Sequence, residues 1–223
     1  MSSEIVEMRT SMSGEQVKRA RGRPKTFDRD HALDVAVDGY WREGIDAVSV
    51  NEICRRANIS KPGLYREFGS EDQLLDAALS RYLETVLGPA LATLTDDRPF
   101  QQTLDSMIEF ATRPASSESP AGCLLAQMCA ARNHLGPVTG DHVDRIRREQ
   151  MAHYSDWLEK CADRGEISLP GPIESIAGYV DAQMNLILNR IAAGEDPNTV
   201  RTHAYLAFAI LTATDVTTPA VGS

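Results

Sequence analysis

Several shortages narrow the possibilities before any motif is sought. No apolar run in the 223 residues approaches the roughly 20 needed to cross a bilayer. The opening MSSEIVEMRT also lacks the hydrophobic stretch of a signal peptide, so no membrane partner and a cytoplasmic location are expected. Cysteine is scarce: Cys54, Cys123, Cys129 and Cys161 stand apart without C-x-x-C spacing, which argues against a zinc ribbon or a disulfide framework. No stretch alternates apolar and polar residues as a half-buried strand would. G-x-S-x-G, G-x-x-x-x-G-K and any metal-binding cluster are missing too, so neither an enzyme, a cofactor nor a metal site is expected. An active site assembled from distant residues would leave no such trace.

What is present is unevenly distributed. The hydrophobic content of 42% suffices for a buried core, and the net charge is -9. Residues 1–70 hold 12 Lys and Arg against 11 Asp and Glu, whereas residues 71–223 hold 11 against 21. Five of the eight residues in KRARGRPK (18–25) are basic, a local handle for polyanions; on charge alone the stretch fits a solvated tail equally well.

The rest reads as helices. Asp28 caps a first one, on which Leu33, Ala36, Val37, Tyr40 and Trp41 recur at helical spacing before Gly44 ends it. SVNE (49–52) fits a capping box, with Glu52 returning to Ser49, and opens a second helix whose face is Val50, Ile53, Cys54 and Ala57, with Asn58 as terminator. Ser60 then caps a third helix through the Gly63 N–H. Pro62 sits in its first turn, where a missing N–H costs no intrahelical bond, and Gly69 closes it. SEDQ (70–73) starts a fourth helix, which Gly88-Pro89 is expected to end. Beyond it the chain is helical to about residue 214, with breaks at 112–122, 134–140, 168–172 and 194–197. The fold class is all-α: three short N-terminal helices followed by a larger helical body. The expected divisions are a flexible basic arm (1–26), a three-helix unit (27–70), a helical body (71–214) and a tail (215–223). The last two helices are apolar on more than one face, which suits either self-association or a central place in a large core.

Two short helices joined by about three residues and packed through Ile53, Ala57, Ile59 and Leu64 make a helix-turn-helix. The second helix of such a unit enters the DNA major groove with its N-terminal residues toward the base edges. Here that end carries Ser60, Lys61, Pro62 and Gly63, then Tyr65 and Arg66. Lys61 and Arg66 reach for phosphate or guanine, Tyr65 offers its hydroxyl or its ring, and Gly63 lets the backbone come close. Arg55 and Arg56, late in the second helix, read as solvated surface charges.

Residues 21–87, above all VSVNEICRRANISKPGLYREFGSEDQLL, resemble the tetracycline-repressor-like (TetR) family of transcriptional regulators. The resemblance implies that 27–70 is a helix-turn-helix DNA-binding domain and that 71–214, from a connecting fourth helix onward, is a variable helical ligand-binding and dimerisation domain, with a homodimer formed through the last two helices. The implied partners are a palindromic double-stranded DNA operator and an unidentified small-molecule effector. By position, Ser49 and Tyr65 are implied phosphate contacts, and Leu64 and Phe68 implied core. One departure stands out: many members place a phosphate-binding lysine just inside the fourth helix, where this chain has Glu71. Compensation is sought in the arm, whose RGRP (21–24) resembles the minor-groove element of AT-rich DNA binders. Arg21, Arg23 and Lys25 are its candidate contacts.

SPAGCLLAQMC resembles a subgroup in which Gly-Cys-Leu opens the sixth helix and some members respond to electrophiles, oxidants or metal. Cys123 is then the candidate thiol, since a helix N-terminus favours thiolate; a packed, inert cysteine is the alternative. Cys129, six residues on, falls roughly 240° round a helix and is expected on another face. His134 and His142 read as surface residues. Gln127, Tyr154, Trp157, Asn185 and Asn189, polar positions inside apolar stretches, are the candidate pocket, although core or interface hydrogen bonding would explain them too. The expected function is a ligand-responsive regulator, most simply a repressor released by a small effector or by thiol modification. A helical protein-binding adaptor is the alternative.

Overall fold

The computed structural model describes residues 27–94, 97–116 and 119–212, and every regular element among them is helical. Arg21, Arg23, Lys25 and the 215–223 tail lie outside the described residues.

Three short helices form the N-terminal unit: α1 (Arg29–Glu43), α2 (Val50–Ala57) and α3 (Lys61–Phe68). Their ends are set by the residues that the sequence singled out. Asp28, Ser49 and Ser60 accept from the N–H groups of His31, Glu52 and Gly63, satisfying donors that the first helical turn leaves orphaned. Asn58 ends α2 in the left-handed conformation. The capping box at Ser49 is only half made, because the Glu52 carboxylate turns to Arg55 (2.6 Å) and Arg56 (2.6 Å) instead. Those guanidiniums hold Glu52 down at about 2, and Arg56 also pairs with Glu43. Both arginines are thus pinned to α1 and α2, in keeping with a surface role.

Helix α4 (Glu71–Tyr82) buries Leu74, Ala78, Leu79 and Tyr82 and packs against both α1 and the body. Gly88-Pro89 does not end this path. The helix widens into a π segment (Leu83–Leu87) and continues through α5 (Gly88–Leu91) into a 3₁₀ turn at Ala92–Leu94. The π segment brings the Leu83 carbonyl so close that a Cβ on Gly88 would lie 2.7 Å from it, so this position tolerates glycine alone, while Pro89 falls in a first turn where its missing N–H is harmless.

The body consists of α6 (Phe100–Ala111), α7 (Leu124–Ala130), α8 (Pro137–Asp163), α9 (Ile173–Ala192) and α10 (Pro197–Phe208). The expected break at 134–140 closes earlier, because Pro137 starts α8. No residue of α8's own end caps that start. Asp72 of α4 accepts from the Val138 N–H (2.9 Å) and the Thr139 N–H (3.0 Å), and the Thr139 hydroxyl donates back to the Asp72 carbonyl (2.9 Å). One turn further along, His142 pairs with Asp76 and is only 13% exposed, so it is no surface residue. Helices α4 and α8 are therefore joined by side-chain hydrogen bonds as well as by packing.

Candidate nucleic-acid interface and internal cavity

Helix α3 has two unlike sides. Leu64 and Phe68 are buried, and Phe68 is clamped between the Phe27 ring (6.2 Å, edge-on) and the Arg29 guanidinium. Ser60, Lys61, Pro62 and Arg66 are exposed at the leading end and along the outer side. Ser49 is exposed as well, and because its oxygen serves the cap as acceptor, its hydroxyl hydrogen remains available to donate. Gly63 departs from expectation. It is buried, with a would-be Cβ 2.9 Å from Ser60 Oγ and 3.4 Å from Phe27, so its missing side chain serves packing inside the unit rather than approach from outside.

Tyr65 is half-buried and its hydroxyl is already engaged: it donates to Glu71 Oε1 at 2.8 Å, a bond that raises the phenol's pKa, while Lys61 Nζ lies over the ring. Glu71, at the position where the resemblance implied a lysine, thus occupies the tyrosine expected to meet phosphate.

In the body a cavity of about 290 Å³ opens between α8, α9, α6 and the continuation of α4. Of the five pocket residues expected from sequence, Tyr154, Asn185 and Asn189 line it. Gln127 does not: its amide donates to the Trp41 carbonyl (2.9 Å), tying α7 to α1. Trp157 stacks on Phe100 at 5.1 Å inside the core, away from the cavity. Residues that the sequence did not single out, among them Arg147, Gln150 and Asp181, complete the polar lining. Gln150 donates to the Tyr154 hydroxyl (3.1 Å), and Arg147 stands 3.7 Å from Asp181, whose carboxyl burial raises above the usual range. Spacing was the signal for these residues: 147, 150 and 154 share one face of α8, and 181, 185 and 188 one face of α9.

Cys123 and Cys129 both line this cavity, contrary to the helical-wheel expectation. Cys123 is the N-cap of α7, in extended conformation, so it lies outside the wheel on which the 240° was counted. Its buried thiol accepts from the Tyr82 hydroxyl (3.2 Å), and burial pushes its pKa up despite the helix N-terminus. Cys129 is likewise pushed up, to about 11. Burial thus favours the neutral thiol at both positions, against the thiolate that a helix N-terminus would favour at Cys123. Among the described residues no group of three or more His, Cys, Asp or Glu could hold a metal, and no helix is long and apolar enough to cross a membrane.

A buried-backed α3 after a three-residue turn, joined to an all-helical body with a cavity, defines a helix-turn-helix protein. Residues 32–78 match the model of the bacterial regulatory proteins of the tetR family. The chain is 33% identical over 170 residues to the HTH-type transcriptional repressor ComR of Escherichia coli, covering 74% of this chain and 80% of that protein. The chain belongs to the tetR family. In fold it is similar to the TetR family regulator CifR, solved as a cysteine mutant with operator DNA (TM-score 0.70, 22% identity, 85% of this chain and 100% of that one). It is also similar to a TetR family regulator from Agrobacterium tumefaciens (TM-score 0.72, 18% identity, 82% and 97%).

Proposed function

We propose that this protein is a homodimeric, effector-responsive repressor of transcription, with residues 27–70 as its DNA-binding unit and 71–214 as its effector and dimerisation body. The observation that carries the proposal is the two-sided α3: its inner side is locked into the core, and its tip offers Lys61, Pro62 and Arg66 to a groove. Ser49, Ser60 and, once freed from Glu71, Tyr65 add hydroxyl donors toward phosphate, and Lys61 and Arg66 add charge. The arm residues Arg21, Arg23 and Lys25 extend the contact into the minor groove. The similarity to named repressors supports the regulatory direction.

Dimerisation through the last two helices is supported by Leu186 of α9 and Leu206 of α10, which are 51% and 69% exposed, together with Tyr205 and Ile210. The effector seat is the cavity, and the Asp72 cap and the His142–Asp76 pair are the route by which α8 moves α4 and so alters the spacing of the two recognition helices.

The test is a titration of the full chain into labelled DNA from upstream of its own gene at several salt concentrations. Saturable, sequence-preferring binding with a steep salt slope is expected. Equal affinity for scrambled DNA would sink the proposal and favour the helical adaptor.

A further inference from the structure

The cavity has a chemical polarity of its own. Its apolar lining comes from the α4 continuation, α6 and α7, with Leu87, Leu91, Met107, Phe110 and Leu125, and from Met184 and Leu188 of α9. Its amide, carboxylate, guanidinium and phenol groups come from α8 and α9. Among the described lining residues Asp181 is the one acid and Arg147 the one base, and they are not placed alike. The Asp181 side chain is 15% exposed, whereas that of Arg147 is 53% exposed, and the 3.7 Å between them exceeds hydrogen-bond distance. The carboxylate belongs to the interior and the guanidinium to the rim.

We propose that this cavity takes a molecule with an apolar body and a protonated amine head, the ammonium seated on Asp181. The inference rests on the assignment of this cavity as the effector site. Arg147 is a long side chain whose charge reaches water, so it swings outward with little loss when a ligand cation takes its place. The buried carboxylate has no such escape, and burial already disfavours its charge; a cation brought within the low-dielectric interior relieves that penalty. An ammonium carries three donors, and the carboxylate accepts from it directly. Asn185, which donates to the Asp181 main-chain carbonyl (2.8 Å), and the Tyr154 hydroxyl, which accepts from Gln150 (3.1 Å), add polar groups to the same lining. A carboxylate-headed ligand would instead meet Asp181 as a like charge. Cys129 offers it no repulsion or attraction, being a neutral thiol.

The experiment is equilibrium dialysis of the full-length protein against octylamine, octanol and octanoate, which share a chain and differ in the head, with Asp181→Asn measured beside the wild type. Octylamine is expected to bind at least about tenfold more tightly than octanol, the ratio given by one hydrogen bond to a charged group, with octanoate weakest. In Asp181→Asn, folded by circular dichroism, the preference for octylamine over octanol should vanish. Octylamine binding equal in both proteins, or tighter binding of octanoate, would overturn the charge assignment and leave the cavity standing as a ligand site. Binding of none of the three would overturn the effector-site assignment and the inference with it.

Discussion

At the tip of α3, Lys61, Pro62 and Arg66 stand in solvent on a helix whose other side is buried, whereas in the body Asp181 and Tyr154 turn polar groups toward an apolar cavity. The first surface works by being accessible: its charges keep their water until a polyanion displaces it, so the cost of holding them is small. The second works by burial. Groups such as Asp181 and Tyr154 have lost much of their water already, so each demands a partner, and a ligand able to supply one gains accordingly. Between them lies α4, held to the body by Asp72 and Asp76 and to α3 by Glu71.

Four substitutions sharpen or break this contrast. Leu64→Ala removes a fully buried side chain from the inner side of α3 and should cost about 2–5 kcal/mol, read by chemical denaturation, with loss of DNA binding. A variant that melts like the wild type would mean that the helix tip does not depend on its buried backing. Leu206→Asp, at the most exposed apolar residue of α10, should convert a dimer to a folded monomer in sedimentation equilibrium. A dimer that persists would move the interface elsewhere.

Asp72→Asn weakens the cap that α4 provides for α8 and should cost about 1 kcal/mol. Burial opposes the Asp72 charge, but the Thr139 and Val138 hydrogen bonds outweigh it and lower the pKa. The carboxyl therefore titrates lower in the folded state than in the unfolded chain. Its stabilisation is fully present above about pH 4 and is lost as pH falls through the folded value. Wild-type stability should thus fall more steeply than that of Asp72→Asn below about pH 4, as thermal melts across pH would record. The smallest effect belongs to Glu71→Gln, which loosens the hold on Tyr65 and removes a negative charge facing phosphate. Severalfold tighter operator binding at low salt, with unchanged helicity, is expected in fluorescence anisotropy; weaker binding would mean that Glu71 orients Tyr65 for DNA.

The two regions were unequally legible. The N-terminal unit depends on contacts within a few residues, such as Ser60 with Gly63 or Asn58 with Cys54, and local pattern carries that information. Even there, Gly63 was assigned outward because a glycine at a helix start looks the same whether it clears room for DNA or for Phe27. The cavity gathers residues from 87 to 189, and only the packing of α8 on α9 decides which polar positions meet. Gln127 and Trp157 had the right spacing and went to other partners.

The order of helices, their caps and the exposed basic tip follow from sequence alone, because short-range hydrogen bonding and helical periodicity are properties of neighbouring residues. Tertiary structure decided that Cys123 and Cys129 share a chamber, that Tyr65 is held by Glu71, and that Asp181 is an interior acid. Tyr65 and Glu71, like Cys123 and Cys129, are only six residues apart, but the turn between α3 and α4, the extended N-cap of α7 and burial against distant helices set those outcomes, and helical periodicity contains none of the three.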